Sequence, residues 1–202
     1  MLEIFAHRAL LDGIENSVKS IPFYKKLGIG IELDVRYRKS GVYISHDPVE
    51  NGDLFEDVCK AYSNSKIRMA LHIKEIKATT EVIELLEKYS INNYFVFNTE
   101  NFEFFDIIDH EKIAAYVSQK HDKVKEKFLW CDEIQSKWYT KKTISELHKK
   151  NKILYGMSLE VVKTCNESEI FMEWNRLINL GIDGICTKYP EKLMKFVKGD
   201  LN

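Results

Sequence analysis

Cysteine is scarce in this chain of 202 residues, and the four present, Cys59, Cys131, Cys165 and Cys186, stand far apart with no CxxC unit. A zinc site or a disulfide framework needs closely spaced or paired thiols, so reduced, mostly buried thiols in a cytoplasmic protein are the expectation. Charge of one sign is also lacking. Lys+Arg number 30 against Asp+Glu 31, a net charge of -1, which removes any bulk electrostatic reason to expect a nucleic-acid or membrane-surface partner. No stretch approaches the ~20 uninterrupted apolar residues of a membrane span. The opening Met1-Leu-Glu-Ile-Phe-Ala-His-Arg has no basic region followed by a long apolar run, so no signal peptide is expected. No linker, low-complexity tract or compositional boundary divides the chain. One domain over residues 1–202 is expected, long enough for a substantial core.

What the chain does have is a strand of unusual polarity, Ile29-Gly-Ile-Glu-Leu-Asp-Val-Arg36, followed by Gly41-Val-Tyr-Ile-Ser-His-Asp-Pro48. Gly30, Glu32, Asp34 and Arg36 alternate with Ile29, Ile31, Leu33 and Val35. That period of two puts both carboxylates on one face and the aliphatic side chains on the other. Adjacent like charges on a strand are unfavourable unless a cation or a proton compensates them. Flanking hydrophobic runs make the strand central rather than a solvated edge.

Around this strand the chain alternates regularly. Strand-like runs fall at 2–6, 29–36, 67–73, 94–97, 112–117, 128–131, 153–157 and 182–186, with 42–45 a hairpin extension of the second. Helix-like runs fall at about 15–27 (stopped by Gly28), 53–62, 80–89, 101–108, 140–150, 167–180 (ended by Gly181) and 190–197 (opened by Pro190). The charged segment 120–127 reads equally as a helix or a loop. Eight such units predict a single-domain (β/α)8 TIM barrel with short loops.

In that fold the working face lies at the C-terminal ends of the strands. Reading those ends gives His7 and Arg8, Glu32 and Asp34, His72 and Lys74, Asn98, Ser118, Asp132 and Glu133, Ser158 and Glu160, then Thr187 and Lys188. His46 follows from the hairpin, with Asp47 placed to orient it and Pro48 to turn the chain. Carboxylates for a metal, cations for an anionic substrate and two histidines for proton transfer form a set suited to metal-assisted chemistry. His110, His121 and His148 read as surface residues, and Tyr37, Trp130 and Trp138 as packing.

These residues resemble a known signature. His7-Arg8, Glu15-Asn16, Glu32-Leu-Asp34 and His46-Asp47-Pro48 are similar to the ordered blocks of the glycerophosphodiester phosphodiesterases, a PLC-like phosphodiesterase family. The resemblance runs on through Leu71-His-Ile-Lys74 to Gly181-Ile-Asp-Gly-Ile-Cys-Thr-Lys-Tyr-Pro190, and so covers nearly the whole chain. It implies a (β/α)8 barrel and hydrolysis of a glycerophosphodiester, or a similar small phosphodiester, to a phosphomonoester and an alcohol. By the same resemblance His7 and His46 take the general acid and base roles, and Arg8 and Lys74 hold the phosphate. Glu32 and Asp34 ligate Mg²⁺ or Ca²⁺. Glu15, Asp47 and Glu160 support the site. The family's attacker is the substrate's own 2-hydroxyl, which gives a cyclic phosphate that water then opens.

The chain departs from the pattern in several places. The family's third metal ligand is a Glu two residues before the strand-three Lys, and here that position is His72. An alignment through Glu75-Ile-Lys77 would place Glu75 on the opposite strand face unless a bulge intervenes. Ala9 stands where the family has Gly, and Lys188 where it has Asp. The segment after Pro48 is too short for the inserted subdomain of many relatives, so the chain resembles the small bacterial members. Two further readings stay open: a barrel that binds a phosphorylated anion without turning it over, and a lyase-like reaction that stops at the cyclic phosphate.

Overall fold

The computed structural model describes residues 2–99, 108–118, 124–134 and 136–201. Along the chain, strands alternate with helices in the manner of a (β/α)8 barrel, with one added antiparallel strand. The strands are β1 (Glu3–Ala6), β2 (Gly30–Arg38), β3 (Gly41–Ile44), β4 (Met69–Ile73), β5 (Tyr94–Phe97), β6 (Ala114–Val117), β7 (Phe128–Cys131), β8 (Ile153–Met157) and β9 (Gly184–Thr187). The helices are α1 (Ile21–Leu27), α2 (Phe55–Tyr62), α3 (Thr79–Lys88), α4 (Lys141–Lys149), α5 (Leu159–Val162), α6 (Glu167–Leu180) and α7 (Pro190–Lys198). Contacts group the chain into two compact units, one of residues 1–5 and 114–202, the other of residues 6–113.

In the unit 6–113, β2 pairs in parallel with β4 and β4 with β5, while β3 folds back antiparallel on β2 as the hairpin extension expected at 42–45. Residues 30–35 are buried on both faces, as expected of a central parallel strand. Ile31, Leu33 and Val35 supply aliphatic contacts on one side, and Glu32 and Asp34 occupy the other. Helix α2 turns Phe55, Val58, Cys59 and Tyr62 inward, an i, i+3, i+4, i+7 stripe within the helix-like run read at 53–62. The helix expected from residue 15 is much shorter. Residues 15–17 are not helical, a 3-10 turn at Val18–Ser20 precedes α1, and Gly28 ends it at φ 70°.

In the other unit, β6, β7, β8 and β9 form consecutive parallel ladders. Their core gathers Leu129, Leu154 and Ile185 from the strands with Trp174, Leu177 and Leu193 from α6 and α7. Helix α6 opens with a reciprocal capping box between Asn166 and Glu169 and closes at Gly181, whose φ of 88° is a left-handed value that favours glycine. Gly184 matters for a different reason. A Cβ there would lie 2.7 Å from the Glu3 carbonyl oxygen and 2.8 Å from the Tyr155 ring. The expected helix over 101–108 lies almost wholly outside the described residues, as do His121 and much of the segment 120–127. No helix among the described residues is long and apolar enough to cross a membrane.

Candidate active site

The site in the unit 6–113 is a row of adjacent strand positions. Parallel register sets Asp34 of β2 beside His72 of β4, and His72 beside Phe97 of β5. Asp34 Oδ1 lies 3.1 Å from His72 Nδ1. The Phe97 ring stacks on the imidazole at 4.8 Å with the planes 14° apart. Glu32, one pleat earlier on β2, shares this face. Glu32, Asp34 and His72 are 3%, 2% and 8% exposed, and one donor atom from each lies within 4.8 Å of the others.

Two buried carboxylates side by side cost several kcal/mol unless cations and donors answer them. The segment after β1 supplies most of the answer. His7, Arg8 and Ala9 form a 3-10 turn in which Arg8 and Ala9 take φ of 50° and 45°, left-handed values that cost an L-residue energy. This turn aims the Arg8 N–H at Glu32 Oε2, 2.8 Å away, and brings Arg8 Nε to 3.3 Å from Asp34 Oδ2. His7 Nε2 stands 4.0 Å from Glu32 Oε2. The chain then loops back through paired bonds between Leu11 and Ile14, and Asn16 N donates to the Arg8 carbonyl at 2.6 Å. Glu15 thereby accepts from Arg8 Nη1 at 2.8 Å.

Asn16 is the residue whose position the sequence concealed. Read there as part of a helix start, it is buried at φ 50° and clasps Asp34 twice. Its Nδ2 donates to Asp34 Oδ2 at 3.1 Å, and its Oδ1 accepts from the Asp34 N–H at 3.0 Å. From beyond β4, Lys74 Nζ reaches to 3.5 Å from Asp34 Oδ1 and 3.4 Å from His72 Nδ1. Thr99, just past β5, completes the row with its Oγ1 at 3.1 Å from His72 Nε2.

The two carboxylates therefore differ. Burial pushes the Glu32 carboxyl up to about 8, the neighbouring Asp34 charge adds to the rise, and Arg8 and Lys74 offset part of it. Burial also works against the Asp34 charge, but the His72 contact, Lys74 and Asn16 outweigh it and hold that carboxyl well below the usual range. For Arg8, burial opposes the charge, and the bond to Glu15 with the charges of Asp34, Glu15 and Glu32 more than restores it.

His46 follows β3 and is about 41% exposed at its side chain, with Nδ1 at 3.0 Å from Asp47 Oδ1. Arg36 fixes its backbone, donating from Nε and Nη2 to the His46 carbonyl at 2.9 and 2.7 Å. Arg36 in turn is bonded to Glu75, which also accepts from the Tyr37 N–H at 3.1 Å. Glu75 is thus committed to Arg36 and Tyr37, while His72 takes the place beside Asp34. His46 borders a cleft of about 380 Å³ whose lining includes Glu15, Asn16, Asp47 and the exposed Ile14 and Val49. Neither Arg36 nor Thr99 was legible as a site residue, since neither belongs to a motif and each acts only through a neighbour.

Glu160 belongs to the other unit. It is buried and accepts from the hydroxyls of Ser158 and Thr187 and, at 3.0 Å, from the Lys188 N–H. Ser158 Oγ accepts in turn from Trp174 Nε1 at 2.7 Å. Its support is structural, joining the end of β8 to the end of β9. Asp132 and Glu133 are likewise tied to their own surroundings, Asp132 to Tyr116 and the Ile134 N–H, Glu133 to the N–H groups of Trp138 and Tyr139 and to Arg176. Trp130 and Trp138 are buried as expected, whereas Tyr37 is 36% exposed. His148 pairs with Asp183 at 2.9 Å.

No protein-family model matches the sequence, and no curated protein sequence matches it. Solved structures do match the fold. A glycerophosphodiester phosphodiesterase from Parabacteroides distasonis superposes with a TM-score of 0.74 over 98% of each chain at 14% identity. A phosphodiesterase from Oleispira antarctica, in complex with its product sn-glycerol-3-phosphate, gives 0.74 over 97% of this chain and 96% of that one, also at 14% identity. Dihydropteroate synthase from Yersinia pestis gives 0.58 over 98% and 93% at 10% identity. Such likeness establishes the (β/α)8 fold. That a synthase shares it means the activity has to be argued from the side chains.

Proposed function

We propose that the chain is a metal-dependent phosphodiester hydrolase acting on a glycerophosphodiester or similar small phosphodiester. The observation that carries the reading is the buried Glu32–Asp34–His72 cluster with Arg8 and Lys74 drawn against it. Two oxygen donors and one nitrogen donor on adjacent strand positions, wrapped by basic side chains, suit a dication beside a phosphate. The bound product of the Oleispira antarctica phosphodiesterase, sn-glycerol-3-phosphate, is a phosphomonoester of the kind that hydrolysis of a glycerophosphodiester would release.

The donor set fits a divalent ion. His72 Nδ1 and Asp34 Oδ1, 3.1 Å apart, are separated by about the edge of a coordination polyhedron with bonds near 2.1 Å. Glu32, Asp34 and His72 would hold the ion, Mg²⁺ or Ca²⁺ by the family resemblance. When bound it supplies neutralising charge to a phosphate oxygen and acidity to a hydroxyl or water beside it. Arg8 and Lys74 then orient and neutralise the remaining anionic oxygens. Of His7 and His46, one takes the proton of the attacking hydroxyl and the other returns a proton to the departing alkoxide. Asp47 orients the His46 ring, and Arg36 holds its backbone. Asn16 keeps Asp34 aimed. We place this chemistry in the cytoplasm, on a small-molecule substrate.

The test is product release from a panel of glycerophosphodiesters with and without EDTA, followed by phosphorus NMR. The expected result is phosphomonoester formation that EDTA abolishes and a divalent salt restores. A cyclic phosphate as final product would replace hydrolysis by the lyase-like reaction. Ligand binding without turnover for every diester would reduce the chain to an anion-binding barrel.

A further inference from the structure

We propose that the Glu32–Asp34–His72 cluster selects a borderline transition-metal dication of the Co²⁺ or Zn²⁺ kind over Mg²⁺ and Ca²⁺, with His72 Nδ1 as the selecting donor. The inference rests on the metal-binding reading above and deepens it.

The argument begins with what surrounds the imidazole. His72 is held by the β2–β4 ladder directly beside Asp34, so its Nδ1 is carried into the cluster by register rather than by a flexible stem. Phe97 fixes the plane of the ring by stacking on it. At the far side of the ring, Thr99 Oγ1 meets Nε2 at 3.1 Å. A hydroxyl both donates and accepts, so Thr99 serves either tautomer. With Nδ1–H directed at Asp34, Thr99 donates to Nε2. With Nδ1 bound to an ion, Nε2–H donates to Thr99, the outward hydrogen bond that metal-bound histidines characteristically make.

The donor chemistry then sets the order of ions. Ca²⁺ prefers six to eight oxygens, and Mg²⁺ prefers oxygen donors and retained waters. Here the cluster offers two carboxylates and a nitrogen, and the carboxylate nearest in sequence to a third, Glu75, is occupied by Arg36 and the Tyr37 N–H. Imidazole suits Co²⁺ and Zn²⁺ better than it suits either hard ion, whereas Mn²⁺ sits with the oxygen-seeking ions. Lys74, 3.5 Å from Asp34, repels every dication alike and so leaves their order unchanged.

The experiment is calorimetric titration of the EDTA-stripped, dialysed full chain with MgCl₂, CaCl₂, MnCl₂, CoCl₂ and ZnCl₂, repeated on His72→Asn, His72→Glu and Glu32→Gln. The wild type is expected to bind Co²⁺ and Zn²⁺ at least tenfold tighter than Mg²⁺ and Ca²⁺, with Mn²⁺ between them. Replacing the imidazole by an oxygen donor should narrow that margin by about tenfold or more, the scale on which metal-site changes act. A margin unchanged in both His72 variants overturns the inference, because the preference then arises elsewhere. A wild type that prefers Mg²⁺ or Ca²⁺, with that binding lost in Glu32→Gln, overturns it while leaving the metal-dependent function standing. Absence of any dication binding that depends on Glu32 overturns both. A measurement on the unmodified chain guards against misfolded variants: proton NMR of the Co²⁺ form should show a strongly shifted, solvent-exchangeable imidazole N–H, and its absence counts against ligation by His72.

Discussion

Asp34 shows how a single carboxylate is held ready. Its Oδ2 meets Arg8 and Asn16, its Oδ1 meets His72 and Lys74, and its own N–H is anchored on Asn16. Its pairing with Glu32 was readable from alternation along one strand, because a period of two has only one outcome for residues 32 and 34. Asn16 was not readable in the same way. Its position depends on left-handed φ values at Arg8, Ala9, Asp12 and Asn16, none of them glycine, and such values are rarely foreseeable from residue type. The histidines lie between these cases. His7 and His46 were singled out by position after strands, and they meet the site differently, His7 buried near Glu32 and His46 half-exposed on a cleft wall. If they are the proton-transfer pair, His7→Ala and His46→Ala should each lower kcat by about 10²–10⁴-fold while circular dichroism stays that of the folded chain. Rates near wild type in both variants would end that assignment.

At the scale of elements, what decides the site is ladder register. A slip of one residue between β2 and β4 would remove His72 from Asp34 and turn it to the opposite face. Strand order and alternation with helices were legible because apolar runs and glycine stops recur at short intervals. Helix starts were less so. Residues 15–17 carry helix-opening residue types, yet Asn16 is drawn to Asp34, so the helix waits until Ile21. Close packing at β9 gives an element-level prediction. Gly184 sits where a Cβ would press on the Glu3 carbonyl oxygen at 2.7 Å, on Tyr155 at 2.8 Å and on the Glu3 Cβ at 3.1 Å. Gly184→Ala should destabilise the chain by about 1–3 kcal/mol, the usual cost of forced overpacking, read as a lower urea midpoint. An unchanged midpoint would mean that the backbone of β1 yields more easily than its burial suggests.

Over the whole molecule, the site's electrostatics should reach global stability. Burial raises the Glu32 carboxyl from 4.5 to about 8 in the folded chain. Below pH 4.5 this group is protonated in both folded and unfolded chains. Between 4.5 and 8 the unfolded chain releases the proton while the folded chain keeps it, so stability falls as pH rises. Above 8 both are ionised and the loss is complete. Asp34 acts in the opposite sense, since its carboxyl is lowered, but its stabilising share is already present above its ordinary value of 3.8 and changes only in acid. In EDTA, the melting temperature of the wild type should therefore decline by several degrees from pH 5 to pH 8 relative to Glu32→Gln, a loss on the order of a few kcal/mol. Saturating dication should flatten that decline, because an ion on Glu32 stabilises the charged form that burial disfavours. Parallel melting curves for wild type and Glu32→Gln across this range would show that Glu32 is already ionised in the folded chain. The compensation would then have to come from Arg8, His7 and Lys74, without a bound ion.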